Sequence, residues 1–138
     1  MPFTYTLHPT TRLVVTVAAG QVTDADLLAL FHAQSSDTRI PTRRREYVSL
    51  EKVTEPKVTS AGIGMLVDRD REQVARHESY RLAVVAPSDV AYGFSRMYQM
   101  LMEEALPECA VFRNHAEASE WLGLSADEMD FVREKLGA

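Results

Sequence analysis

The alternation of apolar and polar residues predicts two strands near the N-terminus. Residues 3–8 alternate between apolar and polar side chains, which is typical of a strand with one exposed face at a sheet edge. Residues 12–19 are almost wholly apolar and are followed by Gly20, so they predict a strand that is buried on both faces and ends at the glycine. Because Pro9 begins a short turn between them, the two strands are expected to form an antiparallel hairpin.

The rest of the chain alternates predicted helices with predicted strands. Thr23 and Asp26 have the spacing of a capping box and predict a helix that ends near Ser36. Residues 51–57 form a polar stretch, and residues 53–59 are predicted to be a loop that leads into the next helix. The other predicted strands cover residues 47–50, 80–86 and 109–112, and the other helices begin at Thr59 or Ser60, Ser88, Asn114 and Ser125. This order predicts one α/β domain, residues 1–138, whose mostly parallel mixed sheet has about five strands joined by crossover helices, with the first strand antiparallel.

Composition narrows the classes of protein that fit this pattern. The 138 residues are 46% hydrophobic and 25% charged, which is ordinary for one globular domain. The net charge of -5 argues against nucleic-acid binding, which needs a basic surface. No apolar run approaches the ~20 residues of a membrane helix, and the N-terminus lacks the pattern of a secretion signal. The lone Cys109 favours a reducing compartment, so we expect a cytoplasmic protein.

Residues 59–66, with the sequence TSAGIGML, are the most informative stretch for function. Two glycines in the first turns of a helix destabilise it by roughly 1 kcal/mol each relative to alanine. One interpretation is that Gly62 and Gly64 allow close packing. The other is that Thr59, Ser60 and the free N–H groups of the helix N-terminus bind an anion or a partner. Neither GxGxxG nor a Walker pattern is present, so a nucleotide site is not predicted.

The segment from Ser60 to Leu66 resembles the Asp-Ser-Ser-Gly-Leu-Gly signature of STAS domains, the family of SpoIIAA-like anti-sigma factor antagonists and of cytoplasmic domains of sulfate transporters. Residues 81–86 and 111–123 are also similar to small bacterial proteins described as having a STAS-like or lipid-binding CRAL-TRIO-like fold. The resemblance implies a STAS/SpoIIAA-like fold and a regulatory module that binds an unidentified protein partner. Ala61 stands where the family has its phosphorylated serine, and Thr59 replaces the leading aspartate. The usual phosphorylation switch is therefore not expected, and Ser60 is the alternative acceptor.

The helix that begins at Ser88 is more apolar than one core-facing stripe requires. The stripe includes Met97 and Leu101, and the candidate residues for a ligand or dimer surface are Tyr92, Met97, Met100 and Leu101. Core packing is one interpretation of the stripe. The alternative is a surface that binds a small apolar or lipid-like ligand, or that forms a homodimer, because methionine adapts well to binding surfaces.

Residues with catalytic or metal-binding chemistry form no recognisable pattern. His8, His32, His77 and His115 stand singly, without metal-ligand spacing. The GxSxG motif of serine nucleophiles is absent. Cys109 begins an apolar strand, a position that predicts a buried and unreactive thiol. The carboxylates are interpreted as solvated helix surface: Asp68, Asp70, Glu103, Glu104, Asp127 and Glu128. Likewise, Arg43, Arg44 and Arg45 are interpreted as a solvated loop, with an anion or acidic-partner contact as the alternative. We therefore predict a non-enzymatic protein without a metal or cofactor. A polar cluster converging in an enclosed pocket would favour an enzyme instead.

Overall fold

The computed structural model describes residues 2–41, 43–76 and 80–137. His77, predicted to lie at a helix end, is outside the described residues. The strands and helices are β1 (Phe3–Leu7), β2 (Leu13–Thr23), α1 (Asp24–Ser36), β3 (Arg45–Lys57), α2 (Ser60–Arg76), β4 (Arg81–Val85), α3 (Asp89–Leu101), β5 (Cys109–Phe112), α4 (His115–Leu122) and α5 (Ala126–Gly137).

The five strands form one sheet in the order β1-β2-β3-β4-β5. β1 lies at the edge and pairs antiparallel with β2, with Phe3 opposite Ala18. The three other pairings are parallel. These observations confirm the predicted mixed sheet and its N-terminal edge hairpin. Among the described residues, none of the helices combines the length and the apolar character that crossing a membrane requires.

Each face of the sheet packs against its own set of helices. Because successive side chains of a strand point to opposite faces, Ala83 and Val85 of β4 join the core beneath α4 and α5. Leu82 and Val84 point the other way and join a second core with α2 and α3. The buried, unbroken apolar run of β4 therefore results from helices on both of its sides.

Two strands are longer than the sequence predicts. The predicted end at Gly20 is wrong: this residue has a φ of 74°, and β2 continues past it to Thr23 with irregular register. The predicted loop over residues 53–59 is wrong for residues 53–57, because these residues continue β3 in register with the end of β2. β3 pairs with β4 only as far as Ser49, so its later part has a free edge, where Pro56 is tolerated.

The predicted capping box of α1 is confirmed. The backbone N–H of Asp26 donates to Thr23 Oγ1 at 3.3 Å, and the backbone N–H of Thr23 donates to Asp26 Oδ2 at 2.9 Å. Although α1 carries apolar residues on one face, it has no fully buried residue. Its apolar face instead borders an open volume above the sheet, which positions the candidate site.

Candidate functional site

A cavity of about 500 Å³ lies between the sheet and the helices α1, α2 and α3. This volume falls within the roughly 300–1,000 Å³ of small-molecule sites. Its wall is mostly apolar, and each of the three helices contributes to it. Representative lining residues are Leu27, Leu30, Phe31, Ile63, Leu66 and Phe94.

The cavity wall also contains a cluster of polar side chains, which we call the polar cluster: Arg44, Glu46, Asp70, Tyr80 and Tyr98. The guanidinium of Arg44 donates from Nε to Glu46 Oε1 at 3.1 Å and lies 4.4 Å above the ring of Tyr80. Glu46 is buried. Its other oxygen accepts hydrogen bonds from Thr16 Oγ1 at 3.1 Å and from Gln34 Nε2 at 3.2 Å. Such multiple bonding is what a buried carboxylate requires.

Asp70 is the second carboxylate of the polar cluster. The hydroxyl of Tyr98 donates to its Oδ2 at 2.6 Å. Burial raises the pKa of Asp70 to about 6, and the negative charge of Glu46 adds to this rise, whereas the Tyr98 bond and Arg44 oppose it. Asp70 is therefore a half-buried acid that is mostly ionised at neutral pH.

A carboxylate from α1 caps the N-terminus of α2. Asp24 accepts hydrogen bonds from the backbone N–H of Thr59 at 2.9 Å and from its hydroxyl at 2.6 Å. Thr59 Oγ1 in turn accepts from the backbone N–H of Gly62 at 3.0 Å. The positive end of the helix dipole thus already has an anion beside it, and that anion belongs to the chain.

The two glycines of α2 have different surroundings. A Cβ atom on Gly62 would lie 2.0 Å from Asp24 Oδ1, whereas one on Gly64 would meet no atom within 4 Å. Close packing therefore accounts for Gly62 but not for Gly64. The structure brings the predicted residues together at one turn, in which Thr59 and Ser60 are exposed, Gly62 is buried and Gly64 is half-buried. Their role in binding an anion or partner stays a prediction.

The predicted apolar surface of α3 lies outside the cavity. Met100 is 66% exposed and Leu101 is 46% exposed. Tyr92 lies 4.0 Å beneath the guanidinium of Arg113, and Met97 packs against the core. A different face of α3 lines the cavity through Ala91, Phe94, Ser95 and Tyr98.

The interpretation of the arginine run as a solvated loop is wrong for two of its three residues. Arg44 is half-buried in the polar cluster, and Arg45 belongs to β3 and forms an ion pair with Glu128 of α5. Glu128 is itself buried, so its predicted solvation is also wrong. Arg43 is exposed.

The prediction that Asp70 is solvated helix surface is wrong as well. A signal for its position is present in the sequence, because Asp70 lies three residues after Val67 and four before Val74. Side chains at this spacing share one helix face. Both valines belong to the core beneath α2, so the helical period places Asp70 on the inward face among apolar neighbours.

His115 links two other polar residues on the opposite face of the sheet. Burial raises the pKa of Tyr47 to about 12, and its hydroxyl is hydrogen-bonded to His115 Nδ1 at 2.5 Å. His115 Nε2 then donates to Glu51 Oε2 at 2.9 Å. This chain of bonds joins α4 to β3. Within the part of the chain that the structure describes, no group of His, Cys, Asp or Glu side chains is arranged to hold a metal ion.

We predict opposite effects of alanine at the two glycines of α2. Gly62→Ala should lower the free energy of unfolding by about 1–2 kcal/mol, because the new Cβ displaces the capping carboxylate of Asp24. Gly64→Ala should raise it by up to ~1 kcal/mol, since the site is open and alanine favours the helix. Urea denaturation measures both. In an Asp24→Ala background, Gly62→Ala should no longer destabilise the protein, and a persistent loss there would contradict this account of Gly62.

We also predict that Asp70→Asn removes a pH-dependent destabilisation. The carboxyl loses its proton near its ordinary pKa of 3.8 in the unfolded chain but near about 6 in the folded protein. Wild-type stability should therefore fall as pH rises between these values, by up to about 3 kcal/mol. The asparagine variant keeps an acceptor for Tyr98 but should lack this fall. Denaturation across that pH range checks the difference, with Asp68→Asn on the exposed face of α2 as the control. Parallel curves for wild type and Asp70→Asn would contradict the prediction.

Comparisons with known proteins agree with the predicted fold. No protein-family model and no curated protein matches the chain. A solved structure that it does resemble is an uncharacterised protein of the DUF3478 family from Shewanella loihica PV-4, described as having a SpoIIAA-like fold. The TM-score is 0.56 at 11% sequence identity, and the match covers 87% of this chain and 93% of the other. At this identity the likeness concerns the fold alone, and the chain has the SpoIIAA-like fold that its resemblance to STAS domains implies.

Proposed function

We propose that this protein is a non-enzymatic binding module of STAS type whose ligand is a small, mainly apolar molecule held between the sheet and α1–α3. The observation that carries the proposal is the cavity of about 500 Å³ with a mostly apolar wall. A ligand that fills such a cavity gains the dispersion contacts that lining atoms make in a packed core. Every 100 Å² of apolar ligand surface moved there from water contributes roughly 2.5 kcal/mol.

The half-burial of α1 supports the same proposal. Leu27, Leu30 and Phe31 occupy one side of this helix and line the cavity, yet the helix has no fully buried residue. Helices in small domains are stabilised mainly by burying such a face. A bound apolar ligand would supply the missing contacts for α1.

Polar side chains in a cavity are the arrangement that would favour an enzyme, but the members of the polar cluster are bonded to one another, which supports binding instead. Arg44 donates a hydrogen bond to Glu46, and the Tyr98 hydroxyl donates one to Asp70. The one cysteine, Cys109, is buried, and burial raises the pKa of its thiol to about 12, so it is protonated at neutral pH and a poor nucleophile.

Protein binding at the start of α2 is a second candidate function. The exposed surface there includes Thr59, Ser60 and Met65, and Met65 is 47% exposed. Asp24 already caps the N-terminus of α2. A partner would therefore contact the exposed side chains there rather than place an anionic group at the helix end. A single exposed methionine beside polar hydroxyls suits a small transient interface.

Filling the cavity should weaken ligand binding. Ala91→Phe places a ring into the cavity, whereas Val90→Phe, at the neighbouring position, points into solvent because Val90 is 51% exposed. We expect Ala91→Phe to weaken binding of the neutral fluorophore N-phenylnaphthylamine at least tenfold, which is about 1.4 kcal/mol. Val90→Phe should bind like the wild type. Fluorescence titration measures both.

A second variant that fills the cavity keeps the test possible if Ala91→Phe does not fold. Ser95→Leu adds a smaller side chain to the same wall, and circular dichroism reports whether each variant is folded. Equal fluorophore binding by folded Ala91→Phe, folded Ser95→Leu and wild type would rule out the cavity as the binding site.

For the second candidate, Met65→Lys should remove partner binding while Met100→Lys preserves it. Both methionines are exposed, so lysine should change the stability of either variant by less than ~0.5 kcal/mol. Affinity capture with the folded full-length chain compares the two variants with wild type. Retention of every captured protein by Met65→Lys would contradict an interface at α2. A change of oligomeric state in Met100→Lys would instead point to the α3 surface as a homodimer contact.

A further inference from the structure

The charges in the cavity wall do not balance. Arg44 is the one arginine of the polar cluster, and it forms an ion pair with Glu46 at 3.1 Å. The cluster therefore has no second cation to pair with the carboxylate of Asp70. Asp37 also borders the cavity, but Arg39 pairs with it at 2.7 Å. Among the described residues, Asp70 forms no ion pair, so the polar cluster carries one more negative charge than positive.

One oxygen of Asp70 is available to a ligand. Oδ2 accepts the hydrogen bond from Tyr98 at 2.6 Å, and no described residue donates to Oδ1. Within the described chain, every fully buried side-chain nitrogen and oxygen has a hydrogen-bond partner. Oδ1 is therefore not fully buried, and Asp70 is one of the residues that line the cavity.

We propose that the ligand of the cavity carries a single cationic amine, which binds to Oδ1 of Asp70 while the apolar remainder of the ligand occupies the space beneath α1, α2 and α3. The inference rests on the proposed function and names the chemistry of the ligand. An ammonium group donates up to three hydrogen bonds, and a bond from it to a carboxylate is charge-assisted. A ligand carboxylate in the same place would be repelled by Glu46 and Asp70, and the single positive charge of Arg44 offsets only one of these two.

Both charges are present at neutral pH. Burial raises the pKa of Asp70 only to about 6, and an alkylamine resembles a lysine side chain, whose pKa is about 10.4. The attraction acts inside an apolar wall, where opposite charges interact more strongly than in water. The head group therefore decides between ligands whose apolar parts are alike.

Three probes with the same chain test the proposal: decylamine, decanol and decanoate. Each is titrated into the purified full-length protein below its micelle concentration, and displacement of N-phenylnaphthylamine is measured. We expect decylamine to bind at least tenfold more tightly than decanoate, with decanol between them. Asp70→Asn, which keeps the acceptor for Tyr98, should reduce the preference for the amine to less than threefold. Asp68→Asn removes the same charge from the exposed face of α2 and should leave the preference unchanged.

The outcomes separate this inference from the proposed function. If decanoate binds as tightly as decylamine to the wild type, or if Asp70→Asn keeps the full preference, the amine proposal is overturned while the cavity remains a ligand site. If the fluorophore and all three probes fail to bind, the proposed function fails and the amine proposal with it.

Discussion

The long parallel pairing of β2 with β3 determines where the helices above the cavity begin. Its last pair places Thr23 opposite Lys57, so α1 starts one residue beyond one strand and α2 starts three residues beyond the other. Asp24 and Thr59 are then close enough for two hydrogen bonds, of 2.9 and 2.6 Å. The two helices are thereby joined at their N-termini, while further along both border the cavity. Without the extended ladder, the carboxylate of α1 would not be placed to cap α2.

The polar cluster is a second constraint, because it places charges in a wall that is otherwise apolar. A buried ion pair such as Arg44 with Glu46 gives little net stability, since desolvation offsets the attraction between the charges. Asp70 is less favourable still, because burial opposes its ionisation. An apolar residue would suit the fold better at this position on α2. The presence of a carboxylate there is easier to explain by a ligand than by stability, which is the reason for placing the ligand head group at Asp70.

The sequence predicts those parts of the fold that depend on local patterns. The edge strand β1, the capping box of Thr23 and the apolar run of β4 are each set by neighbours in the chain, and the structure confirms them. The loop prediction fails for residues 53–57 because their polar side chains are mostly exposed while their backbone pairs with a distant strand. The prediction for Arg44 fails for a similar reason, since its partner Glu46 is buried only once the sheet forms. Asp70 differs from these two, because its helical spacing from Val67 and Val74 marks the inward face. The prediction for Asp70 fails because it gives more weight to the charge of this residue than to the helical period of its apolar neighbours.

Helix α3 shows why the cavity itself was not predictable. Its excess of apolar residues points to more than one apolar face, and the structure divides them: one face lines the cavity, and another leaves Met100 and Leu101 exposed. A sequence reports that a residue is apolar, but not whether the space opposite it is filled. That depends on how α1, α2 and α3 are held above the sheet, and hence on the contact between Asp24 and Thr59 and on the close approach at Gly62. The glycine-rich start of α2 therefore contributes to a ligand site in a way that a search for surface anion binding overlooks. It fixes the position of a helix whose inward face, three turns along, presents Asp70 to the cavity.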